Sequence, residues 1–286
     1  MKWIVPVAVF ALMVSVGMSL RPSEVVANLR RMRWTHWIGL VVATFIVPAA
    51  LGLLLGRVLP LNRAEMAGLF FVGAAPGAPL MTRNIGKRGF DMHLAAGYQV
   101  WGGLLTPLIL PVVVYVAGLL HGLTIWIPPG DILKQIAENQ FVPLALGVVL
   151  AQFWPVFSSK ASIWLNRAGN TVLTLGIIAL LWFMREALKG LLTWWLPLGA
   201  LLLAIGSVLA ITLLLADADP LAKRTLSICN ANRHVGLAIL LSGKYLHAKG
   251  ALPAIATYAV IVPFLLGGLS WWFHRQERAS VAQAVV

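Results

Sequence analysis

The chain has 286 residues, 60% of them hydrophobic and only 11% charged, with a mean hydropathy of +0.87, and this excludes a soluble globular domain, whose helices need polar outer faces. The single cysteine, Cys229, excludes an internal disulfide framework and the Cys/His spacings of a structural zinc site. A formal charge of +13 does not point to nucleic acid, because the basic residues are scattered through short segments between apolar runs, where the positive-inside rule accounts for them.

Nine apolar windows follow in chain order, and they predict an all-α polytopic membrane protein. Residues 2–20 read as a retained helix rather than a signal peptide, since the run closes on Gly17-Met18-Ser19-Leu20-Arg21-Pro22 instead of a small-residue cleavage site. Spans over 35–58, 64–82 and 92–119 come next. The segment Ile125 to Gln140, with Trp126, Pro128, Pro129 and a charged run, reads as an interfacial stretch lying along the outer surface. Spans over 135–155, 163–184, 191–216, 221–243 and 250–274 complete the set, and no polar stretch is long enough for a soluble domain.

With the N-terminus outside and the C-terminus cytoplasmic, thirteen of the 22 basic residues fall in cytoplasmic segments. Eight fall outside, namely Lys2, Arg57, Arg63, Lys134, Arg185, Lys189, Lys244 and Lys249, and Arg233 lies within a span. The expected location is a cytoplasmic (inner) membrane.

Two spans are anomalous. The third contains Ala74-Ala75-Pro76-Gly77-Ala78-Pro79, and its prolines remove backbone donors and free carbonyls that lipid tolerates only where they line protein or a water-filled cavity. The eighth contains Cys229-Asn230-Ala231-Asn232-Arg233-His234 inside an apolar run. An arginine at a helix centre costs roughly 2.5–3.5 kcal/mol on the insertion scale, so it should face a cavity or a partner. On a continuous helix Asn230, Arg233 and Leu237 would share one face. Each feature also has a plainer reading: a kink for the prolines, packing for Arg233, inter-helix hydrogen bonding for the asparagines and a satisfied interior histidine for His234. Against accident stands their placement, because each anomalous span follows a long apolar helix and precedes a proline-bearing one, with Pro107 and Pro111 in one case and Pro263 in the other. An odd number of crossings separates the two groups, which predicts inverted repeats with paired interrupted helices, the sequence pointer to a transporter's midplane site.

Three stretches resemble the bile acid:sodium symporter superfamily: Gly17 to Ser23; Val72 to Gly77 running on to Arg88-Gly89, with Leu105 to Pro111 behind it; and Arg224 to Ile228 leading to Gly236-Leu237-Ala238. The similarity covers nearly the whole chain in order and spacing. It implies a core domain from about 35–119 and 191–274, containing two crossing unwound helices, moving against a panel domain from about 2–20 and 135–184. It also implies that the family's usual first helix is missing here. The family's sodium-ligating glutamate corresponds by that resemblance to Cys229, its nearby glutamine and asparagine to Arg233 and His234, its Ser-Asn pair to Met81-Thr82, a threonine to Gln99, and a glutamine on the second span to Ala43.

Sodium wants hard oxygen ligands and favours a carboxylate, so a thiol and a fixed cation in their place should weaken it greatly. Arg233 would then supply the positive charge permanently. The expected function is a secondary transporter of a small, anionic organic solute by alternating access, not classically sodium-coupled, with substrate or ion contacts from Pro76, Gly77, Thr82, Gln99, Asn230, Asn232, Arg233 and His234. His234 could sense or carry a proton, although an arginine beside it disfavours the charged imidazole, and Asp91, the acid near the end of the first break, has Arg88 close by in sequence and an equally good structural reading. No catalytic group, cofactor or metal site is expected: Cys229 and His234, five apart on one helix, do not face each other, and no intramembrane carboxylate pair is present. The alternatives are a sodium-dependent symporter with altered ligands and a non-transporting receptor of the same fold. The discriminating observation is whether a bound solute is also moved.

Overall fold

The computed structural model describes residues 4–120, 125–183, 185, 193–245 and 249–284. All regular structure among them is helical. The expectations placed on Lys2 and Lys189, and the outermost residues of the spans 2–20, 163–184 and 191–216, lie outside the described residues. Helix α1 (Ile4–Ser19) is followed by α2 (Pro22–Arg30), set at 78° to it. Pro22 starts the second helix, and no side chain of α2 is buried. It lies against the start of α6 (Met92–Leu119), where Glu24 meets His93 at 3.1 Å and Asn28 donates to Asp91.

Helix α3 (Trp34–Val58) carries one wide turn at Val42–Ile46. Its cause is in the sequence. Pro48 has no N–H to offer the carbonyl of Thr44, and the Val47 amide reaches back to Val42 rather than Ala43. The Ala43 and Thr44 carbonyls are therefore released in the middle of a membrane helix. Helix α7 (Pro129–Phe153) repeats the device, with a wide turn at Ala137–Phe141 ahead of Pro143. The charged run after Pro128 is thus not a separate segment but the first turns of this same helix. Ile132, Ile136 and Gln140 are buried on one face of it, and that apolar stripe draws the segment against α6 instead of leaving it along the surface.

The two anomalous spans are each two helices. The first is α4 (Arg63–Ala74) and α5 (Met81–Lys87). Asn62 and Glu65 form a reciprocal cap at the start of α4. Helix α8 (Pro155–Phe183) and α9 (Trp195–Leu214) intervene before the second pair, α10 (Pro220–Ala231) and α11 (Val235–Tyr245). Helix α12 (Leu252–Ala284) closes the chain. At 12 residues, α4 and α10 are each about 18 Å long and cannot cross a hydrocarbon core of about 30 Å unaided.

Among the described residues five helices are long and apolar enough to span a membrane, Trp34–Val58, Met92–Leu119, Pro129–Phe153, Trp195–Leu214 and Leu252–Gln276, with the bent α1–α2 pair as a sixth. Their outward faces suit lipid. On α6 the exposed Leu104, Leu108 and Val112 follow one another at four-residue spacing, while Tyr98, Thr106, Leu110 and Val114 are buried. Exposed Trp34, Trp126, Trp154 and Trp194 sit at or near helix ends, where indole rings favour the membrane interface.

Apolar packing falls into two clusters. The larger joins residues of α3 to α7 and α9 to α12, Ile132 and Ile136 of α7 among them, and the smaller gathers Met13, Val16, Leu20, Ala96 of α6 and Leu144 of α7. Helix α1 packs on α7 and α8. Gly17 and Gly147 make the α1–α7 approach possible, because a Cβ on Gly17 would lie 2.2 Å from the Leu144 carbonyl and one on Gly147 2.1 Å from that of Val14. Replacing Gly147 by valine is expected to cost about 1–3 kcal/mol and lower the melting temperature in detergent, whereas valine at Gly130, where a Cβ meets nothing within 4 Å, should not. Equal melting temperatures for the two variants would contradict the close-approach account.

Candidate functional site

The two broken spans meet where their helices stop. Past Ala74 the chain runs extended through Ala75 and Pro76, and Gly77 takes a positive φ of 73°, which suits glycine alone. On the other side α10 ends at Ala231 without proline or glycine. Asn232 leaves the helix with φ −86° and ψ 80°. The two unwound segments then pair with each other: the His234 amide donates to the Ala75 carbonyl at 2.9 Å, and the Ala78 amide to the Asn232 carbonyl at 3.3 Å. Backbone groups freed by one break satisfy those freed by the other, which is how non-helical chain survives at membrane depth.

Because α10 stops, Asn230, Arg233 and Leu237 do not share a continuous helical face. Asn230 belongs to α10, Arg233 to the unwound segment and Leu237 to α11, and each has its own work. Asn230 is 1% exposed; its amide donates to the Ala43 carbonyl at 2.9 Å and the Ser207 carbonyl at 2.7 Å, and its oxygen accepts from the Tyr98 hydroxyl. The Tyr98 hydroxyl also meets Thr44 Oγ1 at 3.1 Å. Arg233 Nη1 donates to the Thr44 carbonyl at 2.8 Å. Both carbonyls released by the wide turn in α3 are therefore taken by side-chain N–H groups from the second broken span.

The first break is closed in the same way. Thr82 donates to Gln99 Oε1 at 2.7 Å, the Gln99 amide donates to the Pro79 carbonyl at 3.0 Å and to Gln140 Oε1 at 3.2 Å, and the Gln140 amide donates to the Gly77 carbonyl at 3.3 Å. Gln140, Tyr98, Thr44 and Ser207 were not singled out by the sequence. Pro48 and Pro143 were the available signals, each marking a released carbonyl in an apolar span.

Arg233 is 2% exposed and His234 4%. Arg233 has no ion pair with an acid among the described residues, and its Nε and Nη2 have no hydrogen-bond partner. His234 Nδ1 accepts from the Leu237 amide at 3.1 Å and so caps α11, which leaves the proton on Nε2, also without a partner. Both residues line a cavity of about 360 Å³ with Asn232, Pro79, Tyr258 and, from α1, Val9. Among the described residues no carboxylate lines it, and Arg88 is a second arginine on its wall. Arg88 donates to Ser270 Oγ and the Pro263 carbonyl of α12, while Asp91 caps α6 through the amides of His93 and Leu94, a structural role.

Of the residues expected at the site, Asn232, Arg233 and His234 come together on the cavity. Pro76 and Gly77 form the break beside it, Thr82 and Gln99 belong to the amide chain, and Asn230 is a buried tie between α3, α6, α9 and α10. Two further contacts join the broken spans to the helices around α1. Arg83 of α5 donates to Asn166 at 2.8 Å and to Asn170, both on α8, and Asn166 donates to Ser15 of α1. At the far end of α11, Lys244 at 2.6 Å and Tyr245 donate to Asp131 of α7.

The family model described as the sodium bile acid symporter family matches residues 6–191, well over half of the chain. That segment includes the first break and stops short of α9, so the arginine-bearing second break lies beyond it. No curated protein matches the chain.

Proposed function

The chain belongs to the sodium bile acid symporter family, a family of membrane transporters, and from that premise we propose that it carries a small organic anion across the bilayer by alternating access without using sodium. The observation that carries this reading is Arg233: a buried residue of the cavity lining, beside the crossing, whose Nε and Nη2 are buried without a hydrogen-bond partner and which has no acid in contact among the described residues. A buried cation in that condition is costly. A carboxylate or sulfonate entering the cavity would remove the cost through charge-assisted hydrogen bonds, with His234 Nε2 adding a neutral donor.

Sodium independence is supported by the same geometry. The carbonyls of Ala43, Thr44, Gly77 and Pro79, hard oxygens beside the crossing, each already accept from a side-chain N–H of Asn230, Arg233, Gln140 or Gln99, and no carboxylate among the described residues joins them. A proton is not needed either, since His234 is engaged as the cap of α11.

The moving parts we assign are a core of residues 35–119 and 191–274 and a panel of residues 2–20 and 135–184. The packing of α1 on α7 and α8, and the polar contact of Arg83 with Asn166 and Asn170 between the two groups, support that division. Counting each broken pair as one crossing and adding α1 and α8 to the five long spans gives nine, with N-terminus outside and C-terminus inside, and inverted triplets at α3 to α6 and α9 to α12.

The reading predicts that naphthalene-2-sulfonate, taurocholate, benzoate or phenylacetate raises the melting temperature of the purified protein in sodium-free buffer, by an amount that sodium does not change. A saturating ligand at 100 times its dissociation constant adds about 2.7 kcal/mol, readily measured. Stabilisation that appears only with sodium would overturn the countercharge reading in favour of altered sodium ligands. Stabilisation without flux in reconstituted vesicles would favour a receptor of the same fold.

A further inference from the structure

Resting on the anion reading of the same cavity, we infer that the protein is an exchanger, trading one organic anion for another across the membrane, rather than a carrier of net flux. A sodium-coupled carrier releases its cations along with its solute and returns without them. Here the positive charge is a side chain, and an arginine does not surrender its proton under working conditions. At the crossing, the loaded cavity pairs the buried Arg233 with the anion; Arg88, also on the wall, is only half-buried and is bonded to Ser270 and the Pro263 carbonyl. The unloaded cavity leaves Arg233 without an anion.

Alternating access requires the cavity to pass through a state closed on both sides. The polar ties between the broken spans and the α1 group are placed to make such a state: Arg83 with Asn166 and Asn170 on one side of the crossing, Asp131 with Lys244 and Tyr245 at the far end of α11, and Gln140 with the Gly77 carbonyl at the crossing itself. Enclosing Arg233 there with an anion costs little. Enclosing it with only the Thr44 carbonyl as partner strands a charge in a low-dielectric interior. Reorientation is therefore fast when an anion is bound and slow when it is not, and each outward passage must carry an anion for the next inward one to occur. Trading monoanion for monoanion moves no net charge, so the rate should not respond to membrane potential.

The test uses the full chain reconstituted in sodium-free vesicles, with radiolabelled naphthalene-2-sulfonate and taurocholate outside. Both sulfonates stay charged and do not leak through lipid as neutral acids. Vesicles hold either the same unlabelled sulfonate or buffer alone. Uptake into loaded vesicles at least about tenfold faster than into unloaded ones, unchanged by a potassium–valinomycin potential of either sign, is the expected result; such a ratio corresponds to about 1.4 kcal/mol between the two reorientation barriers. At sulfonate concentrations raised to offset its weaker binding, Arg233→Gln should bring the ratio towards one, since no buried guanidinium is left at the crossing to be stranded. Equal uptake by loaded and unloaded vesicles, uptake driven by potential, a ratio unaltered in Arg233→Gln, or binding with no uptake in either vesicle would each overturn exchange while leaving the anion site standing. Absence of both stabilisation and uptake with every anion tested would overturn the anion reading and exchange with it.

Discussion

Replacing Arg233 by glutamine is expected to abolish stabilisation by organic anions while leaving the protein folded. Glutamine stays polar but ends two bonds short of Nη1, which reaches the Thr44 carbonyl at 2.8 Å, so the variant should also melt somewhat lower, by about the 1–3 kcal/mol of one stranded carbonyl. What disappears is the charge and the unpartnered Nε and Nη2 groups. Removing one member of a buried, hydrogen-bonded charge pair costs about 2–5 kcal/mol in binding, a loss of thirtyfold to several thousandfold in affinity. Arg233→Lys keeps the charge but not the planar fork and should fall between the two. The measurement is the shift in melting temperature against sulfonate concentration for the three proteins, in sodium-free buffer. If the glutamine variant responds like the parent, the arginine is there for packing and the anion binds elsewhere or not at all.

Replacing Asn230 by leucine should instead damage the fold. The side chains are similar in size, so the effect isolates polarity. Leucine would leave the Ala43 and Ser207 carbonyls without their donor and remove the acceptor of the Tyr98 hydroxyl, all in buried surroundings. At about 1–3 kcal/mol for each stranded group, the two carbonyls alone account for roughly 2–6 kcal/mol, a large fraction of the stability of most proteins. A sharp drop in melting temperature and in monodisperse yield is expected with and without anion present. Asn230→Asp would keep the Tyr98 contact yet turn an oxygen towards two carbonyls, and should also be destabilised. A leucine variant that melts with the parent would mean that the wide turn of α3 closes without Asn230, and that the carbonyl-capping account of this region is wrong.

These two neighbours, three residues apart, mark the boundary of what could be read in advance. Composition alone made this an all-helical membrane protein, because the apolar content leaves no polar faces with which to meet water. The resemblance to the symporter superfamily rested on short stretches and agrees with the matching family model over residues 6–191. The first break was legible residue by residue, since Pro76, Gly77 and Pro79 impose it through covalent geometry. The reading of Ile125 to Gln140 as a stretch apart missed its continuity with the next helix, because charge near a helix start looks the same in sequence whether the segment stands alone or opens a longer helix. The buried stripe of Ile132, Ile136 and Gln140 becomes decisive only once α6 is beside it.

The sequence by itself determined the solvent, the helical class, the place of the proline break and the presence of an arginine that a membrane interior must somehow accommodate. Tertiary structure alone decided the second break and the division of labour around it. Nothing local ends α10 at Ala231. The segment unwinds where the exposed backbone of the first break offers the Ala75 carbonyl and the Ala78 amide as partners, and that compensation exists only when two segments more than 150 residues apart are brought into contact. The same contact separates Asn230 from Arg233, turning one apparent helical face into a buried hydrogen-bonded tie and a charged wall of the cavity.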